Sequence, residues 1–432
     1  RGGTVIHCPS DCMAHYEGHP AREAARNVPK ASNLPPEIGT WCYSIPSEEK
    51  GVYPLDQSDG GEDDAPETKR RWVAELAAKG RKPAAPWVKQ HDAIEIRPGD
   101  FLTDKGEEVW SILEARGIDN VLMTGVHTNM CVLGRPFGLR RLASNGKNVA
   151  LVRDLTDTMY NPARRPYVSH FTGNDLIVEH IEKYVCGTVT SDQVLGGEPF
   201  RFAGDDRPHV AIVLSEPEYE TETTLPAFAR RHLGRHFKVS PVFGDEQDGN
   251  DLPGLEVIEE ADVLLLSVRR RALRPEQMAL IRRFLESGRP VVGLRTASHA
   301  FSLRGKEPPE GRVVWETFDA DVFGGNYTNH HGDGPETTIS VADGAKGHAI
   351  LAGVDTDGWT SAASLYKVSP LKSSATPLLV GTIPNAEPEP VAWTNETKFG
   401  GKAFYTSLGH KIDFEKEPFR RLLFNALFWA AG

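Results

Sequence analysis

The sequence predicts an α/β protein built as two tandem three-layer α/β/α domains with mainly parallel sheets. Three observations carry this. Strand-length apolar runs alternate with stretches whose apolar residues recur at helical spacing. The alternation occurs twice, on either side of a turn-rich segment containing Gly196-Gly197 and Gly204-Asp205-Asp206-Arg207. The chain also has 432 residues, more than the roughly 250 that one hydrophobic core usually supports. The first domain is placed at residues 1–190, a linker at 191–207 and the second domain at 208–432.

The elements follow in order. Thr4-Val5-Ile6-His7 reads as a short strand, and Asn33 to Pro86, polar and aperiodic, as a long surface excursion. Val109, Ile112 and Leu113 share one face of a helix over Gly106 to Arg116, and Gly117 stands at its carboxyl cap. Asn120 to Gly125 predicts a buried strand and Val149 to Val152 another, with a helical segment between them that ends at Asn145-Gly146. In the second half, strands are expected at Val210 to Leu214, Ala261 to Val268 and Pro290 to Leu294. A helix from Pro275 to Ser287 is closed by Gly288, following the preference for Pro at helix starts and Gly just past helix ends. Phe419, Leu422, Leu423, Ala426 and Leu427 form the core-facing stripe of a terminal helix.

Composition narrows the function classes. Lys and Arg number 49 against 60 Asp and Glu, a net charge of −11, which argues against a nucleic-acid partner or an anionic membrane surface. The best apolar run, Val263 to Val268, is strand-sized and far short of a membrane span. Five scattered cysteines suit a reducing, cytoplasmic compartment rather than a disulfide scaffold. The chain opens on Arg1 rather than Met and runs at once into a strand, so upstream residues are expected, a signal peptide among the alternatives.

Cys131 lies where the strand ending at Gly125 turns into a helix. A thiol there meets unpaired backbone N–H groups and the positive end of the helix dipole, which favour thiolate and can hold an oxyanion. A small buried cysteine at a strand end is the alternative. Gly117-Ile118-Asp119-Asn120, Thr128-Asn129-Met130-Cys131-Val132, Asn145-Gly146 and Val149 to Asp154 together resemble the isochorismatase-like cysteine hydrolases. That resemblance implies a three-layer fold over residues 1–190 and a triad of Asp, Lys and nucleophilic Cys, the Cys at Cys131. The implied Asp would precede Arg1. The implied Lys would fall within Ile94 to Gly99, where Arg97 is the one cation. A non-proline cis peptide is implied at Val126–His127. His127 and Arg97 join Cys131 as candidate oxyanion or pocket residues.

In the second half, Val291 to Phe301, Gly347-His348-Ala349-Ile350, Tyr405 to His410 and Phe428-Trp429-Ala430 resemble the ThuA-like, trehalose-utilization family. The resemblance implies a fold similar to class I glutamine amidotransferases without their nucleophilic cysteine. No Cys follows Cys186. Candidate ligand-binding residues are Arg295, His299, His330, His331 and His410, with Ser298, Asn329 and Asp333 beside them. Arg295, His299, His330 and His410 are expected to converge in one cleft at the carboxyl ends of parallel strands. Glu218 to Glu222 stands where a ligand loop belongs but reads as a solvated acidic turn.

The expected function is a hydrolase that acts on a small amide or related carbonyl compound through Cys131, with a carbohydrate-associated second domain. The partners are then a small-molecule substrate, a carbohydrate ligand and further copies of the chain in a homo-oligomer. No cofactor and no metal are called for. Two alternatives stand beside it: a non-catalytic or sugar-binding protein, and a sugar-acting enzyme whose chemistry lies wholly in the second half.

Overall fold

The computed structural model describes residues 2–56, 58, 64–197, 201–332 and 334–432. They divide into two compact units, Arg1–Asp205 and Asp206–Gly432. No helix among the described residues is long and apolar enough to cross a membrane.

In the first unit, β1 (Ile6–His7) pairs in parallel with β2 (Phe101–Leu102). A second parallel sheet runs β3 (Asn120–Val126), β4 (Asn148–Asp157), β5 (Gly187–Val189). The helices are α1 (Pro20–Arg26), α2 (Pro66–Ala78), α3 (Gly106–Ala115), α4 (Leu139–Ser144), α5 (His170–Tyr184) and α6 (Ser191–Leu195). The core gathers Val109 and Leu113 of α3, Leu139 and Leu142 of α4 and Ile177 and Ile181 of α5 over Val149 and Leu151 of β4.

Four features differ from the sequence reading. β3 is half exposed rather than buried: Leu122 and Val126 are 53% and 60% exposed, because β3 pairs with β4 on one side only and turns alternate residues away from the core. The helical segment after Cys131 is interrupted before α4, where Pro136 and Gly138 break the hydrogen-bond ladder. The 33–86 excursion contains α2, opened by Pro66 at its first turn, and sends Ile38, Cys42, Ile45 and Leu55 inward. The 191–207 stretch holds α6, whose Ser191 donates its N–H and hydroxyl to the Asp154 carboxylate.

The second unit is a nine-stranded sheet between two helical layers. Its strands are β6 (His209–Ser215), β7 (Lys238–Phe243), β8 (Val263–Val268), β9 (Val291–Leu294), β11 (Thr337–Val341), β12 (Thr360–Ser361), β14 (Thr376–Thr382), β15 (Glu389–Glu396) and β16 (Lys402–Thr406). β10 (Asn329–His330) and β13 (Tyr366–Lys367) form a separate antiparallel pair. The order is β12-β11-β14-β15-β16-β9-β8-β6-β7. From β16 to β7 all neighbours are parallel, and from β12 to β16 they are antiparallel.

Strand periodicity fills both faces of this sheet. Val210, Ile212 and Leu214 of β6 face α7 (Thr221–Phe228) and α9 (Glu417–Ala431). Ala211 and Val213 face the other way, toward α8 (Pro275–Glu286). Strands buried on both faces read as continuous apolar runs, which is why β6, β8 and β9 are plain in the sequence.

One buried ion cluster fixes the first unit. The Glu48 carboxylate accepts two N–H groups of Arg140, each at 2.7 Å, and lies 2.8 Å from His180 Nε2 on α5. Burial pushes the carboxyl up, but the His180 and Arg140 hydrogen bonds outweigh it and hold Glu48 at about 2. The folded value lies below the ordinary 4.5, so this contribution to stability is complete above pH 4.5 and is lost as the pH falls toward 2. Glu48→Gln should lower stability by about 3–5 kcal/mol at pH 7, by leaving Arg140 buried and unpaired. It should also flatten the acid limb of a urea-denaturation series between pH 4.5 and 2. An unchanged acid limb in the variant would contradict this.

Candidate functional site

The parallel half of the second sheet brings its carboxyl ends together. From β6 the chain moves out to β7, then returns to β8 on the other side, a reversal of the kind beside which open α/β sheets bind ligands. Glu216 to Thr221 follows β6, Arg269 and Arg270 follow β8, Arg295 to His299 follow β9, and Ser407 to His410 follow β16.

Arg295 is the centre of this region and is 1% exposed. Its guanidinium lies 4.4 Å from the ring centroids of both Tyr219 and Tyr366. It donates to the carbonyl of Ser407 at 2.6 Å, to Ser364 Oγ at 3.0 Å and to Tyr219 Oη at 3.2 Å. The backbone at Arg295 has φ +44°, a left-handed conformation that costs a non-glycine residue about 1–3 kcal/mol. It is held there from outside: Tyr405 Oη donates to the Arg295 carbonyl. In nucleophile elbows a strained residue on this kind of strand-to-helix turn is the attacking group. Here it is a permanent cation, which binds and orients but forms no acyl intermediate.

The other residues surround Arg295. His299 stacks on Tyr327 at 4.4 Å, lies 6.1 Å from Tyr366, and has Nδ1 3.1 Å from Ser298 Oγ. Burial, then Arg270, Arg269 and Arg304, push the imidazole down to about 3, so it is neutral at pH 7. His410 is half-buried with its ring 6.1 Å from Tyr219, and burial lowers it as well. Arg295, His299 and His410 are thus brought together around Tyr219 and Tyr366. His330 is exposed at the rim, 6.4 Å from Tyr366. His331 is fixed through its backbone N–H to the Leu365 carbonyl at 2.8 Å. Asp333 lies outside the described residues.

Tyr219 belongs to the turn read as a solvated acidic loop. Glu216 folds that turn inward instead: its buried carboxylate accepts the backbone N–H groups of Glu218, Tyr219 and Thr221 and the Thr221 hydroxyl. Tyr327 and Tyr366 were also missed. They come from short segments around β10 and β13, which carry no periodic signal.

In the first unit Cys131 is partly exposed, on the turn Thr128–Val132 that follows β3. The preceding Val126–His127 peptide is cis. The His127 carbonyl accepts the N–H groups of Met130 and Val132, both at 3.1 Å. Asn129 exchanges two hydrogen bonds with the Met159 backbone, at 2.9 and 3.0 Å, which ties the turn to the segment after β4. Arg97 is not brought to Cys131. Its side chain is 72% exposed and pairs with Glu95 at 3.1 Å, because its own N–H caps Asp100 in a surface turn. Among the described residues no group of three or more His, Cys, Asp or Glu side chains is gathered as a metal site.

Parallel strands flanked by helices, with a buried arginine at their carboxyl ends, define a doubly wound α/β domain. The chain belongs to the ThuA family: the model for that family, described as trehalose utilisation, matches residues 209–430, just over half of the chain. No curated protein matches the chain. Among solved structures, a ThuA-like protein from Bacteroides uniformis is 16% identical, with a TM-score of 0.41 over 54% of this chain and 95% of its own. A ThuA-like protein from Parabacteroides merdae is 16% identical, with a TM-score of 0.37 over 52% of this chain and 90% of its own. The family match lies wholly within the second unit.

The thiols differ in environment. Burial pushes Cys8 up to about 12 and Cys186 to about 11, and Cys42 is buried with Sγ directed at the Ser44 carbonyl. Thiolate is the reactive form, so iodoacetamide at pH 7 should alkylate Cys131 before Cys8, Cys42 or Cys186, read by peptide mass spectrometry. Earlier labelling of Cys8 or Cys186 would contradict the assignment.

Proposed function

We propose that the second unit binds a carbohydrate-type ligand above Arg295, and that this is the principal site of the protein. The observation that carries the reading is the left-handed Arg295, buried between Tyr219 and Tyr366 at the fold's own ligand position. Residues held in a costly conformation by surrounding contacts cluster at binding and active sites. Aromatic faces with a few convergent polar groups suit a ring that carries hydroxyls. Tyr219 and His410, both partly accessible, are the groups that meet the ligand. Neutral His299 can take part in a hydrogen bond with a ligand hydroxyl without adding charge. The family's association with trehalose utilisation supports trehalose and related glucosides as the first ligands to test.

A second reading places a cysteine hydrolase in the first unit, as its resemblance to the isochorismatase-like proteins implies. The observation that favours it is the braced strand-to-helix turn that carries the partly exposed Cys131. On this reading Cys131 attacks a small amide or related carbonyl compound, and Cys131→Ser abolishes that turnover while leaving carbohydrate binding intact.

Calorimetric titration with trehalose and methyl glucosides tests the principal reading. Saturable binding is expected, weakened about tenfold or more by Tyr219→Ala and by His410→Ala. No binding of any of these sugars, or binding untouched by both substitutions, would overturn it.

A further inference from the structure

The first unit contains a cleft of about 460 Å³ that Cys131 does not line and that lies outside the second-unit site. Its size falls within the roughly 300–1,000 Å³ of small-molecule sites. Trp41 and Tyr43 form one wall. Their rings are near-parallel, with planes 25° apart and centroids at 6.5 Å. Both are open to solvent, Trp41 at 41% and Tyr43 at 81%. Two large aromatic side chains left uncovered side by side mark a contact surface.

The wall is rigid. Cys42, between the two aromatics, is buried, donates its N–H to the Gly134 carbonyl at 2.7 Å, and accepts Arg140 Nη1 at 3.3 Å. The indole of Trp41 packs against Gly134, where an added Cβ would come within 2.9 Å of it. The floor is electrically closed, since Arg140 and His180 are already spent on Glu48. It therefore offers no spare cation for a phosphate or carboxylate.

One polar group in the cleft is left over. Among the described residues Tyr53 Oη is buried without a hydrogen-bond partner, an unfavourable state unless something entering the cleft satisfies it. Glu49, exposed, adds one acceptor at the rim. We infer that this cleft is a binding site for a neutral saccharide. A pyranose ring lays its C–H face on Trp41 and Tyr43, whose π-faces are negative, and its hydroxyls reach Tyr53 Oη and Glu49.

Isothermal titration of the full chain with maltose and with cellobiose tests this, using Tyr219→Ala as the background so that binding at the second-unit site is weakened. Saturable binding should persist in that background and weaken about tenfold or more in Trp41→Ala and in Tyr43→Ala. Tyr53→Phe should weaken it by several-fold, through loss of the hydroxyl alone. Tyr43 is exposed enough that its variant keeps the fold, checked by circular dichroism, should Trp41→Ala not. Three outcomes overturn the proposal: no saturable binding of either sugar in the Tyr219→Ala background, affinity unchanged by Tyr43→Ala, or saturation by tetramethylammonium in place of the sugars, which would make the cleft a cage for an organic cation.

Discussion

The carboxyl end of the second unit's parallel strands is organised around the buried guanidinium of Arg295. A charge taken out of water is costly unless its hydrogens are accepted and its surface is covered. Here Ser407, Ser364 and Tyr219 accept hydrogens from its two terminal nitrogens, Nε finds no partner among the described residues, and the rings of Tyr219 and Tyr366 each lie 4.4 Å from the guanidinium. Those partners come from the end of β16, the approach to β13 and the loop after β6. One side chain therefore locks three separate chain segments onto the end of β9. The strain at φ +44° is sustained because the sheet beneath is filled on both faces.

Much of that frame was legible in the sequence, and the reason is geometric. β6, β8 and β9 are buried on both sides and so appear as unbroken apolar runs. α8 announces both ends, with Pro275 at its start and Gly288 beyond it. The amphipathic stripe of α9 gave its core face directly. The antiparallel β11, β14 and β15 were not delimited, because strands such as Thr376–Thr382 mix polar, Pro and Gly residues with the apolar ones.

The site was legible only in part. Arg295, His299 and His410 stand in strand-end motifs and could be picked out. Tyr219, Tyr327 and Tyr366, the surfaces those residues touch, lie in turns and two-residue strands where no period exists to reveal a facing direction. Glu216 shows the difficulty. Its sequence context is an acidic turn, but its carboxylate gathers backbone N–H groups and brings Tyr219 inward. In the first unit, contacts of long sequence separation decide the outcome. Glu48 meets Arg140 and His180 across about ninety residues or more, and that cluster orders a stretch the sequence presents as featureless. Arg97 shows the opposite case, since a local turn with Asp100 keeps it at the surface.

A crystal structure of the chain grown with trehalose tests the central claim most directly. The account predicts sugar density at the carboxyl ends of β6, β8 and β9, against Tyr219 and His410, with Arg295 beneath it, buried and left-handed. Density confined to other surfaces, or an Arg295 turned to solvent with negative φ, would contradict it.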